Sequence, residues 1–559
     1  MPAGRLPPIA KAMREYAQIK LSVGEDRPVS FEEAIARVER GAISRRELFW
    51  MGGITGAALI LAACTNSATQ KTSSGGGSKP TPHDARVVVV GAGLAGTTAA
   101  YRLWQNGVNV RCYEARDRIG GRCWTAREFA DGQIAEHGGE FIDTRHVHIR
   151  QLAKELGLKM DDLWSGWVPG SKWFMWVNDE RNVWGDWKDE QEPVVNAAIN
   201  EAKRLGVVGN GKKYDDAPLS YGTATPEAVE MDQMSMADWL EEKSPGTAGA
   251  PIGTLLNEFM QAWYGLDMKD LSSLNWIDFY VAPWPGGDER WRVHGGNDQV
   301  TTLSAEALPA GTVRLEAPLE SLRKTGDTYE LRFGGIPDPV VADFVIMTIP
   351  FTTLKDVDLT DAGFSGQRVG AIDNLSMGLD VKMFLQYDRR PEEFDMWSGG
   401  MEHTNPNFET WESSEAQKGK AGLITIYSGG TGSETFAHEN YHAPAPQEMT
   451  DLMLGEINKV VPGTEAHFNG KAWLDYWVGD PWTRGSYAAF GPGEYTKYWR
   501  YTGLPEGNVK FAGEHTSTYS QGFLNGGVES GQRAAIEVMD DLGVKVPAQI
   551  ADMPYSKFG

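Results

Sequence analysis

Basic residues are in deficit: 53 Lys and Arg stand against 76 Asp and Glu in a chain of 559, a formal charge of −23. So acidic a chain has no general attraction for nucleic acid or for an anionic membrane surface. Cysteine is scarce as well. The three residues Cys64, Cys112 and Cys123 exclude a disulfide scaffold. No apolar run reaches the roughly 20 residues of a spanning helix. What remains is an ordinary globular mixture, 41% hydrophobic and 23% charged, which excludes a disordered or fibrous body. At roughly 100–200 residues per domain, the length predicts several domains. Glycine is plentiful, with 65 residues against an average usage of about 7%. Such an excess suits tight backbone approaches around a nucleotide. Twenty Trp suit aromatic-lined pockets as well as plain core.

The first 83 residues read as address and tether. Arg45-Arg46 precede a mild Gly/Ala-rich stretch from Met51 to Ala63, which ends in Leu61-Ala62-Ala63-Cys64. The pair resembles a twin-arginine export signal, and the ending resembles a lipoprotein cleavage box in which Cys64 becomes the lipidated first residue. The alternative is a short buried helix. Residues 65–83 form a Ser/Thr/Gly/Pro tract that reads as a flexible linker. The expectation is a signal over 1–64, passage through the twin-arginine machinery, and a lipid anchor at Cys64 on the cell surface or in the periplasm. Residues 30–40 predict a capped helix with no assigned role. Twin-arginine export carries folded cargo, which suits a protein that closes around a cofactor first.

Arg86-Val-Val-Val-Val is apolar without alternation, as a buried parallel strand should be. Gly91-Ala-Gly93-Leu94-Ala95-Gly96 follows, then a helical stretch from Thr97, then a second strand, Val108 to Glu114. Gly91 suits the tight turn, Gly93 a close approach to a pyrophosphate, and Gly96 close packing of helix on strand. The helix N-terminus offers unpaired N–H groups to phosphates. Glu114, 23 positions after Gly91, is where a carboxylate holds ribose hydroxyls. Near the C-terminus, a strand from Asn508 to Ala512 meets a glycine turn, and Gly526-Gly527 open a second helix through Ala534-Ala535.

Glu114-Ala115-Arg116-Asp-Arg-Ile-Gly-Gly121-Arg122 resembles the extended flavin fingerprint of glutathione-reductase-like FAD proteins, in which Arg122 would pair with phosphate. Glu136-His-Gly138-Gly139-Glu140 resembles the segment that passes the flavin ring in flavin amine oxidases. With Trp291 to Gln299, Arg314 to Leu319, Asn374 to Lys382, Trp477 to Tyr487, Phe511-Ala-Gly513-Glu514, and Gly522-Phe523-Leu524 to Val528 and Gly531, the chain from about Ala85 to Asp541 resembles the flavin monoamine oxidase family. That resemblance implies an α/β fold, a Rossmann-like FAD domain interleaved with an α+β substrate domain. It implies that these segments hold FAD, with the Leu319 strand at the adenine. It implies oxidation of an amine by hydride transfer to flavin N5, an imine that hydrolyses to a carbonyl compound and ammonia, and O2 reduced to H2O2.

Tyr487 and Phe523 align with the two aromatic cage positions, where ring faces would guide the amine. Lys382 aligns with the lysine linked through water to N5. A lysine within the strand Leu379 to Leu385 is costly to bury unless paired or functional; the other reading is a wet strand face. Ser486 stands where relatives with covalent flavin carry Cys, which implies noncovalent FAD. Related L-amino-acid oxidases need a base for the substrate carboxylate, yet Glu140 is an acid; Arg145 and Arg484 are possible substitutes. Glu140 could instead meet the second amino group of a diamine, or bond only ribityl or backbone groups. Three functions stay open: an amine oxidase using oxygen, an L-amino-acid oxidase, and a flavoprotein dehydrogenase or flavin-binding module with another acceptor. The expected division is 84–162, 288–372 and 470–545 for FAD, 163–287 and 373–469 for substrate, and a tail over 546–559.

Overall fold

The computed structural model describes residues 84–183, 188–207, 219–281 and 288–556. The signal, the linker and the helix expected over 30–40 lie outside the described residues. Two sheets position the site. In chain order their strands are β1 (Val87–Val90), β2 (Val110–Tyr113), β3 (Lys172–Val177), β4 (Glu180–Val183), β5 (Val313–Arg314), β6 (Phe344–Met347), β7 (Val381–Tyr387), β8 (Trp397–Thr404), β9 (Asn407–Glu412), β10 (Gly422–Ser428), β11 (His442–Pro444), β12 (Phe468–Asp475) and β13 (Val509–Phe511). Three helices matter most: α1 (Leu94–Gln105), α2 (Pro251–Tyr264) and α3 (Leu524–Leu542).

The first sheet has five strands in the order β13-β6-β1-β2-β5, and every pair is parallel. A parallel sheet is covered on both faces, so β1 is buried throughout. Val87 and Val89 pack with Ala95, Ala99 and Leu103 of α1 and Ala534 and Val538 of α3. Val88 and Val90 join a core with Tyr329, Leu331 and Phe333 from a three-stranded antiparallel sheet spanning Leu319–Ala342. Both helices start earlier than the glycines suggested, because Gly93 and Phe523 are their extended N-caps. A Cβ at Gly96 would land on the Gly91 carbonyl, and one at Gly531 on the Ala95 carbonyl. These two positions therefore set how closely α1 meets its strand and α3.

The second sheet has eight strands in the order β11-β12-β7-β10-β9-β8-β3-β4. Alternation along its strands gives it two characters. Met383, Leu385, Ile424, Ile426, Met401 and Phe408 face the helix Gln447–Val460, packing on Met453 and Ile457. The residues between them face α2 and, at Phe384 and Leu423, a cluster with Ala126, Phe129 and Ala135. The boundary expected at 469/470 is corrected here: β12 stays in the second sheet to Asp475, because its residues pair with β7 up to Lys382↔Asp475. The last residues are also more than a tail. Ile550 is buried beside α3, and the Ser556 N–H donates to Glu529 at 2.7 Å. No helix among the described residues is long and apolar enough to cross a membrane.

Candidate active site

Two cavities, of about 300 and about 200 Å³, adjoin between the sheets. They share Arg122, Gly139, Ser486, Tyr487, Gly522, Phe523 and Leu524 as walls. The smaller one runs along Gly91, Gly93, Leu94, Ala95, Glu114, Ala115, Arg116, Gly121, Leu319, Gly513 and Glu514. No side chain caps the first turn of α1 or α3, so both N-termini keep donors and partial positive charge for an anionic ligand. Gly91 has φ +97°, a conformation that favours glycine. Glu114 accepts from the Ala92 N–H at 2.7 Å and the Arg116 N–H at 3.0 Å, which fixes its carboxylate at the end of β2. The open approach at Gly93, two uncapped helix ends and a fixed acid form a cradle that fits a dinucleotide such as FAD.

The larger cavity is walled by Gly138, Gly139, Glu140, Lys382, Trp477, Tyr487, Phe523 and Leu524, among the residues expected from the sequence. Val528 lies fully buried behind it, packed with Leu94 and Leu524. The Glu136–Glu140 segment is pinned by Asn297, whose side-chain amide donates to the carbonyls of Gly139 at 3.1 Å and Glu140 at 2.8 Å. The Trp477 indole donates to the His137 carbonyl at 2.9 Å. Arg122 donates to the Ser486 carbonyl and pairs with Glu514 at 2.9 Å. Glu514 also accepts from the N–H groups of Ala488 and Gly522, so it joins three of the segments expected to meet the flavin.

Lys382 is not on a wet face: it is 5% exposed. Its ammonium donates to the Glu136 carbonyl at 3.0 Å and to Glu140 at 3.1 Å, and lies 5.2 Å from the centre of the Trp411 ring. Glu140 also accepts from Arg292 at 3.4 Å, Trp411 at 3.1 Å and Ser413 at 2.9 Å. The charge of Glu140 is thus balanced by Lys382 and Arg292 of the protein.

Tyr487 donates to the Ala262 carbonyl at 3.1 Å and meets the Tyr427 hydroxyl at 3.2 Å. Phe523 packs on the His146 ring, centres 4.8 Å apart, with the Arg145 guanidinium 5.7 Å from its own centre. Arg145 in turn is paired with Asp143 at 2.9 Å. Arg484 pairs with Asp356 and is absent from the cavity wall. Neither arginine therefore stands free as a carboxylate clamp.

Several site residues escaped the sequence reading. Asp380 lines the cavity two positions before Lys382, accepts from Ser486, and is buried. Burial raises its carboxyl to about 8, against hydrogen bonds from Ser486, Tyr487 and Tyr427 that pull it down. Glu409 and Tyr427 also line the wall. Burial, then repulsion from Glu258, lifts the Glu409 carboxyl well above the usual range. Behind Lys382, His137 bonds Asp475 at 2.8 Å, Asp475 bonds His442 at 2.8 Å, and His442 bonds Asp480 at 3.0 Å. Arg116 pairs with Asp480 at 2.7 Å. This chain of charges links the two cavities. A signal existed for Asp380: two charged residues at alternate positions in an apolar run share one strand face.

A nucleotide cradle at a parallel sheet, joined to an aromatic cavity with a buried lysine, defines the class as a flavoprotein oxidoreductase. Residues 94–539 match the family described as flavin containing amine oxidoreductase. The chain belongs to that family. Among its relatives, amine oxidase [flavin-containing] B of Sus scrofa is 26% identical over 486 residues, covering 82% of this chain and 87% of that protein. Amine oxidase [flavin-containing] A of the same animal is also 26% identical, over 483 residues, covering 82% of this chain and 86% of that protein. Cyclohexylamine oxidase from Brevibacterium oxydans IH-35A shares the fold, with a TM-score of 0.70, 24% identity, and coverage of 83% of this chain and all (100%) of that one. A putrescine oxidase structure gives 0.68 at 22% identity, covering 82% of this chain and 99% of that one.

Proposed function

We propose that the protein is an oxygen-using amine oxidase with noncovalent FAD, and that its substrate is an amine rather than an amino acid. The observation that carries this is the charge of the cavity wall. Each cation there is already neutralised by a carboxylate of the chain: Arg122 by Glu514, Arg145 by Asp143, Lys382 by Glu140. Asp380 and Glu409 form no ion pair among the described residues. An arriving cation can draw the proton from either carboxyl and pair with it, whereas a substrate carboxylate meets no cation that lacks a partner. When bound, flavin would supply the acceptor for hydride from the C–H beside nitrogen, leaving an imine that water hydrolyses, with O2 as the final oxidant. Gly91, Gly93, Glu114, Arg122 and the first turns of α1 and α3 would hold it. Ser486, engaged with Asp380, lacks the thiol that a covalent link needs.

The substrate nitrogen must be neutral to release hydride. The ammonium proton passes to the Asp380 carboxylate beside Tyr487, which leaves a neutral amine between Tyr487 and Phe523. Lys382 holds positive charge for the oxygen step. Peroxide formation by the purified protein on matched amines and L-amino acids tests this: turnover of amines alone is expected, and turnover of amino acids alone would refute it. Export by the twin-arginine route with lipid at Cys64 is part of the same proposal, supported by the motif at Arg45-Arg46 and Leu61 to Cys64.

A further inference from the structure

The second sheet carries one row of side chains on its cavity face. The register places Lys382 opposite Tyr427, Tyr427 opposite Glu409, and Glu409 opposite Glu402. Directly opposed residues of antiparallel strands share a face. The row thus runs from the lysine of the oxidation site, across Tyr427, to two carboxyls. Glu258 of α2 closes on them from above: the carboxyl oxygens of Glu258, Glu402 and Glu409 lie within 4.8 Å of one another, and all three residues are buried. Burial raises the carboxyls of both Glu258 and Glu402, and repulsion from Glu258 adds to the rise at Glu402. Glu402 accepts from the Trp173 indole at 2.9 Å. Glu409 differs from both. It is 9% exposed, it lines the cavity, and its carboxyl accepts no hydrogen bond from a described residue.

We propose that Glu409, backed by Glu402 and Glu258, is the docking subsite for a second ammonium group, so that the substrates are short aliphatic diamines or longer polyamines. This deepens the amine-oxidase proposal and rests on it. The oxidised nitrogen sits at the Tyr487–Phe523 end. The strand spacing puts the Glu409 backbone about 10 Å from that of Lys382, two strands away, a span that a few methylenes bridge. Between the ends, Trp411 and Tyr427 lie with ring centres 5.4 Å apart and give the methylenes an apolar wall. An ammonium group supplies the donors that Glu409 lacks and an ion-pair partner that no described residue gives it, since Lys382 acts on it only from a distance.

The test compares the holoenzyme on propane-1,3-diamine to octane-1,8-diamine with the n-alkylamines of equal length. Wild type should favour the best diamine in kcat/KM by at least about tenfold, since a hydrogen bond to a charged group contributes about 1.5–3 kcal/mol. Glu409→Gln should cut that diamine-to-monoamine ratio by at least about tenfold, mainly through KM, while Glu409→Asp should keep most of it. A readout independent of any variant is competition with a monoamine substrate. An alkane-diguanidine, which keeps N–H donors at both ends, should inhibit wild type at least about tenfold more tightly than the alkyl-monoguanidine of equal length. Equal use of monoamines and diamines, an unchanged ratio in Glu409→Gln, or equal inhibition by the two compounds would overturn the subsite and leave amine oxidation standing. Thermal stabilisation by Mg²⁺ or Ca²⁺ that is lost in Glu409→Gln would assign the three carboxyls to a metal and also overturn it. Failure of every amine to produce peroxide or bleach the flavin would refute both proposals.

Discussion

Lys382→Met keeps the length of the side chain and removes its charge. In wild type the ammonium has two acceptors, the Glu136 carbonyl at 3.0 Å and Glu140 at 3.1 Å. Without it, Glu140 keeps one cation, Arg292 at 3.4 Å, and two neutral donors, Trp411 and Ser413. Removing one partner of a buried ion pair costs about 3–5 kcal/mol. Because Arg292 remains, the expected loss is at the lower end, about 3 kcal/mol. Adding Glu140→Gln removes the stranded charge and should recover at least about 1 kcal/mol in urea unfolding. The effect on rate is separate. A fixed cation in a dry site is commonly worth about 10²–10³ where negative charge develops. Stopped-flow should therefore find the Lys382→Met flavin still bleached by amine without air, and reoxidised by oxygen about 10²–10³ times more slowly. Unchanged reoxidation would refute the role in the oxygen step and leave Lys382 as the partner of Glu140. Loss of FAD binding would make it structural.

Acid precipitation should release the yellow chromophore into the supernatant, because Ser486 cannot form a thioether; flavin kept in the pellet would contradict this. For Asp380, raised to about 8 in the fold from an ordinary value of about 3.9, the folded state binds the proton more tightly, so stability falls as pH rises from about 4 towards 8. Asp380→Asn should flatten that slope in denaturant titrations and gain at least about 1 kcal/mol above pH 8, with kcat/KM for amines reduced; an unchanged slope would refute the shift. Asp480 behaves oppositely: burial alone would raise it, but His442 and Arg116 hold it down at about 2. Its contribution is present above about pH 4 and is lost as pH falls towards 2, and Asp480→Asn should be destabilised at neutral pH and converge with wild type in acid. Replacing Arg45 and Arg46 by Lys should leave precursor in the cytoplasm, and the mature N-terminus should be Cys64; unchanged export, or a terminus elsewhere, would refute the twin-arginine and lipoprotein proposals in turn.

The cofactor half of the molecule was legible because its physics is local. A buried strand, the turn at Gly91, a helix end and the acid at Glu114 follow one another within a few dozen residues, and each leaves a mark in composition. Lys382 was legible for another reason, a charge inside an apolar strand. The acidic end of the substrate cavity was not legible. Glu258, Glu402 and Glu409 come from a helix and two strands, and nothing in Asn407–Glu412 alone distinguishes an acid facing a cavity from one facing water. Only the register of the sheet puts Glu409 in line with Lys382. The role of Glu140 went unread for the same reason, since its partners Arg292, Lys382, Trp411 and Ser413 are 152 to 273 positions away.

The five-stranded sheet draws β1 and β2 from the start of the described chain, β5 and β6 from its middle, and β13 from its end. Order of synthesis therefore limits order of folding. While the chain emerges from the ribosome, β6 lacks its outer neighbour until Val509–Phe511 has been made, and α1 lacks α3 until residue 542 is out. Contacts this distant in sequence form slowly and expose apolar edges in the meantime. Among the described residues, one N-terminus of the cradle belongs to the first long helix and the other to the last. A nascent or truncated chain ending before Leu524 thus holds half a cradle, and tight nucleotide binding reports that the C-terminus has been made and docked. Flavin retention would then serve as a check on completeness, separating finished molecules from prematurely terminated ones.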